Sequence, residues 1–375
     1  MNIGIVCYPS YGGSGVVASE LARQLGRRGH RVHVFSYETP FRLSHFEANV
    51  FFHEVEAPDY PLFRFPPYLL ALSSKIVEVA READLQVIHA HYAVPHTAAA
   101  YLAKQMLAGE RRLPVLTTMH GTDITLVGND PQFYEITRFS LEASDGVTAV
   151  SRSLAEESAE TFRLRRLPRV IPNFVDAEEY RPRNNPALRA RFARPDEKIL
   201  LHISNMRPVK RVEDVIRIFA RVNGQAPCRL LLAGDGPERL AASHLAEALG
   251  LQERVCFLGR QDNVAEIFPL ADLFLLPSAK ESFGLVALEA MACQVPVIAS
   301  DTGGLPEVIE KGVTGYLAPV GDVETMAGYA ISLLTDEREY AVMARQARER
   351  AVNRFRADPI IDAYEAYYGE ILNTP

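Results

Sequence analysis

The sequence predicts an α/β protein of two doubly wound parallel-sheet domains. Three observations predict it. Short apolar runs alternate with helical patterns along most of the chain, as in strand–helix–strand units. The alternation stops in a stretch rich in Pro, Arg and Asn at 176–196, then starts again. The chain has 375 residues, 48% hydrophobic and 23% charged, enough for two packed cores.

Residues 2–8 read as a short buried strand, and Tyr8-Pro-Ser-Tyr-Gly-Gly-Ser-Gly15 as a glycine-rich turn. Val16 to Arg28 has the spacing of an amphipathic helix ended by Gly29, and Arg31 to Tyr37 is a second strand. Gly13-Ser-Gly15-Val-Val-Ala18, with Glu38 after the second strand, outlines a dinucleotide-binding fingerprint. Pro9 to Gly12 lengthen the loop before the glycines, however, and so displace the fingerprint. The glycines are read instead as letting backbone N–H groups approach a phosphate or carboxylate.

The prolines of Pro58-Asp-Tyr-Pro-Leu-Phe-Arg-Phe-Pro-Pro-Tyr68 exclude a regular helix. This stretch reads as a loop whose aromatics pack on the domain, or as an interface. A helix follows from Leu69 to about Ala83, then a strand from Leu85 to Tyr92. Alternation puts His89 and His91 on one side and His96 elsewhere. No Asp, Glu or Cys stands at ligand spacing near them, so hydrogen bonding is preferred to a metal site. Pro114 to Asp123 is a strand ending in polar residues. Ligands bind beyond the carboxyl ends of such strands, which marks His120 and Asp123. Phe133 to Ala143 is a helix carrying Arg138, Gly146 to Ser151 a strand, and Arg169 to Asp176 closes the half.

In the second half the strands are Ile199–Ile203, Arg229–Ala233, Val255–Leu258, Leu273–Leu276, Pro296–Ala299 and Gly315–Leu317. Val212 to Asn223 is a helix, Gly234-Asp-Gly-Pro-Glu238 a turn, and helices follow at 324–334, 337–353 and Pro359–Leu372. Arg207 and Lys210 emerge at a strand's carboxyl end, where two cations suit a diphosphate. Glu281-Ser-Phe-Gly-Leu-Val-Ala-Leu-Glu289 reads as a loop feeding a helix with Ser282 as N-cap. Free N–H groups near Gly284, Leu285 and Val286 would form an anion site. Glu289 would then stand about two turns inside the helix, some 9–10 Å along it. A carboxylate on each side of a phosphate site suits a nucleotide sugar.

A net charge of −7 argues against a polyanion partner. Cys7, Cys228, Cys256 and Cys293 are too dispersed for a zinc site or disulfide framework, which fits a reduced cytoplasm. No signal peptide is read at the N-terminus, and no run reaches the length of a membrane span.

On Glu281 to Glu289, Arg207 with Lys210, Gly234 to Glu238, and Gly303-Gly-Leu-Pro-Glu307, the chain resembles the retaining glycosyltransferases of family 4. The resemblance spans essentially the whole chain. Cys7 to Val17, Pro66 to Tyr68, His91 to His96, His120 to Thr125 and Arg207 to Asp214 are similar to members that make the first intermediate of bacillithiol. The resemblance implies a GT-B fold, with an acceptor domain at 1–176, a nucleotide-sugar domain at 177–355, and a helix at 356–375 packing back on the first domain. It implies UDP-N-acetylglucosamine as donor, L-malate as acceptor, and no metal or cofactor. Glu289 would hold the ribose, Arg207 and Lys210 the diphosphate, and Glu281 the transferred sugar. Phe283, Gly284, Leu285 and Val286 would offer backbone, Gly13 the β-phosphate contact, and Asn173 a further donor contact. His120 would lie at the reacting centre. The malate dianion would be met by Ser14, Tyr92, Thr118 and Arg138, with Lys75 a further candidate. Neither nucleic acid nor membrane is an expected partner, and a homodimer is left open. Two alternatives stand beside this reading: a family 4 enzyme acting on inositol phosphate or a glycan, and an NAD-dependent dehydrogenase.

Overall fold

The computed structural model describes residues 1–10, 12–43, 46–57, 66–122, 124 and 130–374, Phe41 by its backbone alone. Most of the proline–aromatic stretch (58–65) and Asp123 lie outside the described residues. The chain divides into two compact units, Met1–Asn173 with Ala357–Pro375, and Phe174–Arg356.

The first unit holds β1 (Asn2–Val6), α1 (Ser14–Arg27), β2 (Arg31–Ser36), β3 (Val50–Glu54), α2 (Tyr68–Glu82), β4 (Val87–His91), α3 (Ala98–Leu107), β5 (Val115–Met119), α4 (Pro131–Glu142), β6 (Gly146–Ala149), α5 (Arg152–Phe162) and β7 (Arg169–Val170). The strands form one parallel sheet in the order β3-β2-β1-β4-β5-β6-β7. β4 and β5 are buried along their whole length, as expected for a parallel sheet covered on both faces. Leu72, Ile76 and Ala80 of α2 and Ala99 and Ala103 of α3 pack with Val6 and Ile88 in one core. The chain direction across the sheet reverses between β1 and β4, and a crevice opens at such a switch point, beyond the strands' carboxyl ends.

The second unit holds α6 (Pro186–Arg189), β8 (Lys198–Ile203), α7 (Val212–Asn223), β9 (Cys228–Ala233), α8 (Arg239–Ala248), β10 (Val255–Gly259), β11 (Leu273–Leu276), α9 (Leu285–Ala292), β12 (Val297–Ser300), α10 (Leu305–Val308), β13 (Gly315–Ala318), α11 (Val323–Thr335) and α12 (Glu337–Phe355). Its parallel sheet runs β10-β9-β8-β11-β12-β13, with the reversal between β8 and β11. Val212, Ile216 and Phe219 of α7 pack with Leu230 and Leu232 of β9 and Met326 and Ala330 of α11. The final helix, α13 (Ala357–Asn373), belongs to the first unit. There Tyr364 and Tyr368 are buried, and Arg28 bonds Asp362 and Glu365 at 2.5 and 2.8 Å.

Both doubly wound sheets are present, and α7 has the bounds its sequence pattern predicts. The sequence reading has no strand at β3 and no helix at α3 or α5. β3 is a half-exposed edge strand, so it lacks the continuous apolar run of a buried one. α3 begins Ala-Ala-Ala, apolar on every side, which blurs the helical period. The start expected for α9 is corrected too. Its N-cap is Gly284 at φ 92°, not Ser282, and no side chain caps it. An αL residue ends any helix upstream of it. Glu289 therefore lies only four residues past Leu285, about 6 Å along the axis rather than 9–10 Å.

Candidate active site

In the second unit four loops leave the carboxyl ends of β8, β9, β11 and β12 and lock onto one another. Ala279 N–H bonds Val209 O at 2.8 Å, joining the loop after β11 to the turn after β8. Gly304 N–H bonds Glu281 O at 2.9 Å. Gly303 has φ 55°, and a Cβ there would stand 1.9 Å from Glu281 O. Only glycine lets the two backbones come so close. Glu238 N–H bonds Met206 O at 2.9 Å, and a Cβ on Gly234 would be 1.8 Å from Ser204 O. The glycine turns at 234–236 and 303–304 thus clamp the loops that carry the charges.

Within this clamp Lys210 Nζ lies 2.5 Å from Glu281 Oε1, which also accepts from Ser278 Oγ at 2.9 Å. The pair is largely sheltered, the two side chains being 21% and 11% exposed. Arg207 is exposed, and among the described residues it has no ionic partner. A site that takes up a diphosphate needs a cation not already neutralised, and Arg207 is one. Leu285 and Val286 open α9, whose first helical bonds run from Ala287 and Leu288 to Gly284 O. Their N–H groups are the orphan donors of the helix start. Phe283 is buried and stacks edge-on with Phe355 at 5.7 Å, so its ring anchors the loop and only its backbone is available to a ligand. Glu289 is buried on α9.

His202 supports the clamp and has no role in the sequence reading. Its Nδ1 lies 2.8 Å from Leu275 O, a carbonyl that only accepts, so Nδ1 carries the proton. Nε2 then accepts from Ser204 Oγ at 2.8 Å, and that oxygen accepts Met206 N–H at 3.1 Å. Burial lowers the His202 pKa to about 4 and keeps this chain of bonds fixed. The available signal was one polar residue inside the apolar run Ile199-Leu-Leu-His-Ile203.

In the first unit histidines gather beyond β4 and β5. His89 and His91 stack with centroids 4.4 Å apart, and His91 stacks on His120 at 5.1 Å. His91 Nδ1 lies 2.8 Å from His120 Nε2. His89 lies 2.8 Å from Tyr368 OH and 2.6 Å from Thr118 Oγ1. Burial pushes His89 and His120 down to about 3, and burial together with repulsion from neighbouring imidazoles holds His91 well below the usual histidine value. His96 is not remote from this group, as strand alternation predicts, because the turn after β4 folds back and sets its Nδ1 2.5 Å from His91 O. Among the described residues no three His, Cys, Asp or Glu are grouped to hold a metal ion.

The remaining residues named from the sequence divide. Gly13 is the N-cap of α1 at φ 55°, ψ −115°, and space is open where a Cβ would point, so conformation rather than crowding requires glycine. Ser14 begins the helix, two residues earlier than its pattern predicts, and is buried. Tyr92 has φ 88°, a rare value for a non-glycine residue and one concentrated at functional sites. Its hydroxyl lies 3.4 Å from Thr122 Oγ1. Arg138 is half-buried on α4 and has no ion pair among the described residues; Glu142 pairs instead with Arg165. Asn173 is buried, and its Oδ1 has no hydrogen-bond partner among the described residues. Thr118 is a correction: it is fully buried, and its hydroxyl is taken by His89 and by Thr148 at 2.6 Å each. It is a core position and has no hydroxyl to offer an acceptor. Lys75 pairs with Glu78 at 2.9 Å on its own helix.

Residues 11–179 match the Glycosyltransferase Family 4 family and residues 184–350 the Glycosyl transferases group 1 family. The chain is 49% identical to N-acetyl-alpha-D-glucosaminyl L-malate synthase of Bacillus anthracis, over 99% of this chain and 97% of the relative. It is 30% identical to D-inositol 3-phosphate glycosyltransferase of Mycobacterium marinum, over 95% of this chain and 81% of the relative. In fold it is similar to sucrose-phosphate synthase of Thermosynechococcus elongatus (TM-score 0.83, 22% identity, 99% of each chain). It is likewise similar to Anabaena HepE in complex with UDP and glucose (TM-score 0.82, 22% identity, 98% of this chain and 99% of the other). The displaced glycine fingerprint is therefore no sign of a dehydrogenase. With these identities running nearly end to end, the chain belongs to the family 4 glycosyltransferases and transfers a sugar from a nucleotide sugar.

Proposed function

We propose that the enzyme transfers N-acetylglucosamine from UDP-N-acetylglucosamine to the hydroxyl of L-malate with retention, the first step of bacillithiol synthesis. The observation that carries this reading is the 49% identity over 99% of the chain to a relative named for that product. The exposed Arg207, without an ionic partner among the described residues, and the N–H groups of Leu285 and Val286 at the start of α9 support it.

In this reading the second unit binds the donor. Glu289 holds the ribose, Arg207 and Lys210 meet the diphosphate, and Glu281 meets the sugar hydroxyls. Gly13, Asn173, Phe283 and Gly284 add backbone or amide contacts, and His120 faces the reacting sugar. As the bond from C1 to the phosphate oxygen breaks, negative charge grows on the phosphate. Fixed cations and N–H groups stabilise it without reorganising. The acceptor oxygen bonds C1 on the same face, and its proton passes to the leaving phosphate oxygen. No protein nucleophile is needed, and the cations take the place of a metal. The first unit binds malate through Ser14, Tyr92 and Arg138. The reading also places the enzyme in the cytoplasm as a homodimer, which light scattering tests. Among the described residues no helix is long and apolar enough to cross a membrane.

The deciding experiment offers UDP-N-acetylglucosamine with L-malate or D-inositol 3-phosphate, in the presence of a chelator. UDP release with malate, and an α-linkage by the anomeric proton coupling, are expected. Turnover with inositol phosphate alone would replace the acceptor, and loss of activity on chelation would end the metal-independent reading. Arg138→Ala is expected to raise the KM for malate about tenfold or more, the scale of a lost charge-assisted bond. Titrating UDP by calorimetry should give unchanged affinity, and an equal loss for both ligands would remove Arg138 from the acceptor site. Glu289→Ala is expected to raise the donor KM with little change in kcat, as loss of uniform binding does. Steady-state kinetics showing the reverse pattern would remove the ribose assignment.

A further inference from the structure

His96 lies where the turn after β4 folds back, and it is fully buried. Its Nδ1 donates to His91 O, so its Nε2 carries a lone pair. Among the described residues that lone pair has no hydrogen-bond partner. Burial keeps the ring neutral, its pKa lowered to about 4. A buried acceptor without a donor is costly, and native proteins keep few of them without a use. His91 Nε2 is also unpartnered, but its Nδ1 faces another imidazole, so no carbonyl decides where its proton sits. Among the described histidines with an unpartnered ring nitrogen, only His96 is held as an acceptor by a bond to a carbonyl.

Its surroundings indicate the ligand. The Tyr8 ring packs on His96 with centroids 4.4 Å apart. The backbone of Tyr8 in turn touches the start of α1, since a Cβ on Gly15 would stand 2.7 Å from Tyr8 O. The first bond of α1 runs from Val17 N to Gly13 O, so the N–H groups of Ser14, Gly15 and Val16 are the helix's orphan donors. His96 and the start of α1 thus both meet Tyr8, the one at its ring and the other at its carbonyl, and the helix start carries anion-binding donors. That combination fits a hydroxy acid, with its carboxylate on the N–H groups and its hydroxyl on the nitrogen.

We propose that His96 Nε2 accepts the hydrogen bond of the acceptor's hydroxyl, so that His96 selects hydroxy acids over the same acids lacking that group. The inference rests on L-malate being the acceptor. His96 does not keep the proton. As the C1–phosphate bond breaks and the acceptor oxygen bonds C1, the O–H turns from His96 Nε2 to the leaving phosphate oxygen, which takes the proton while His96 stays neutral.

The test is His96→Asn in the full chain. The Asn amide can still donate to His91 O but places no acceptor where Nε2 stood. Expected are a KM for malate raised by about 10- to 100-fold, the range of one buried hydrogen bond, with unchanged inhibition by succinate, the same diacid without the hydroxyl. UDP affinity and thermal midpoint should match the wild type. Parallel losses for malate and succinate, or no loss for either, would overturn the inference. Should the variant fold poorly, the wild type labelled with 15N-histidine still decides. An unprotonated His96 Nε2 signal that moves with malate and UDP but not with succinate and UDP supports the role, and one indifferent to both ends it. A wild type inactive on malate would instead remove the acceptor assignment on which the inference stands.

Discussion

Lys210→Ala is expected to lower kcat by about 10²-fold or more, the scale of losing a fixed electrostatic partner of the transition state. Two losses coincide in this variant. In the proposed reading the departing phosphate loses a cation, and Glu281, only 11% exposed, loses the ammonium 2.5 Å from it and keeps Ser278 Oγ. An uncompensated, sheltered carboxylate beside the diphosphate adds repulsion to the lost attraction. Arg207→Ala removes a cation but strands no partner, because Arg207 is exposed and has no ionic partner among the described residues. Its loss should therefore be the smaller of the two. Single-turnover release of UDP measures both. The double variant Lys210→Ala/Glu281→Ala should fall by less than the product of the single effects, as coupled neighbours do. A fall below tenfold in Lys210→Ala would remove it from the transition-state machinery.

Acid is expected to unfold the first unit before the second. His89, His91, His96 and His120 are held neutral there by burial, at about 3, well below normal, about 4 and about 3 respectively. Their folded pKa values lie below the unfolded value of about 6.5, so between the two the unfolded chain binds more protons. Their stabilising effect is complete above pH 6.5 and is lost as pH falls toward 4. Each withdraws up to about 1.4 kcal/mol per pH unit, so the four together reach about 5 kcal/mol at pH 5.5, comparable with the whole stability of a domain. His33, lowered to about 4, and His53 add to the same trend. The second unit contributes His202. Urea midpoints from pH 7.5 to 4.5, followed by amide exchange in each unit, check this. Equal acid sensitivity of the two units would contradict it.

The fold was largely legible in the sequence. β1, β4, β8 and β11 are apolar runs bounded by turn residues, and α7 shows its period and its limits plainly. The chemistry-bearing loops were legible because, in a doubly wound sheet, ligands sit beyond the carboxyl ends of strands. Arg207, Lys210, Glu281 and His120 all stand at such ends. What misled was local geometry that depends on neighbours. Gly284 is αL where Leu305 crowds it, with a Cβ there only 2.5 Å from Leu305 Cδ2, and this moves the start of α9. Thr118 reads as polar and near a strand end, yet β6 and His89 cover it.

From its sequence alone, then, the protein's two parallel sheets, the loops that carry charge, and its family are determined. These rest on periods of two and 3.6, on turn residues, and on motif order, all written locally along the chain. Only the tertiary structure decides which charged group faces which. Lys210 meets Glu281 across 71 residues because β8 lies beside β11, and His89 meets Tyr368 across 279 because α13 returns to the first unit. Strand order and helix docking arise from burial of whole faces, and no local pattern encodes them. The same holds for His96, whose bare nitrogen exists only because the turn after β4 folds back onto His91.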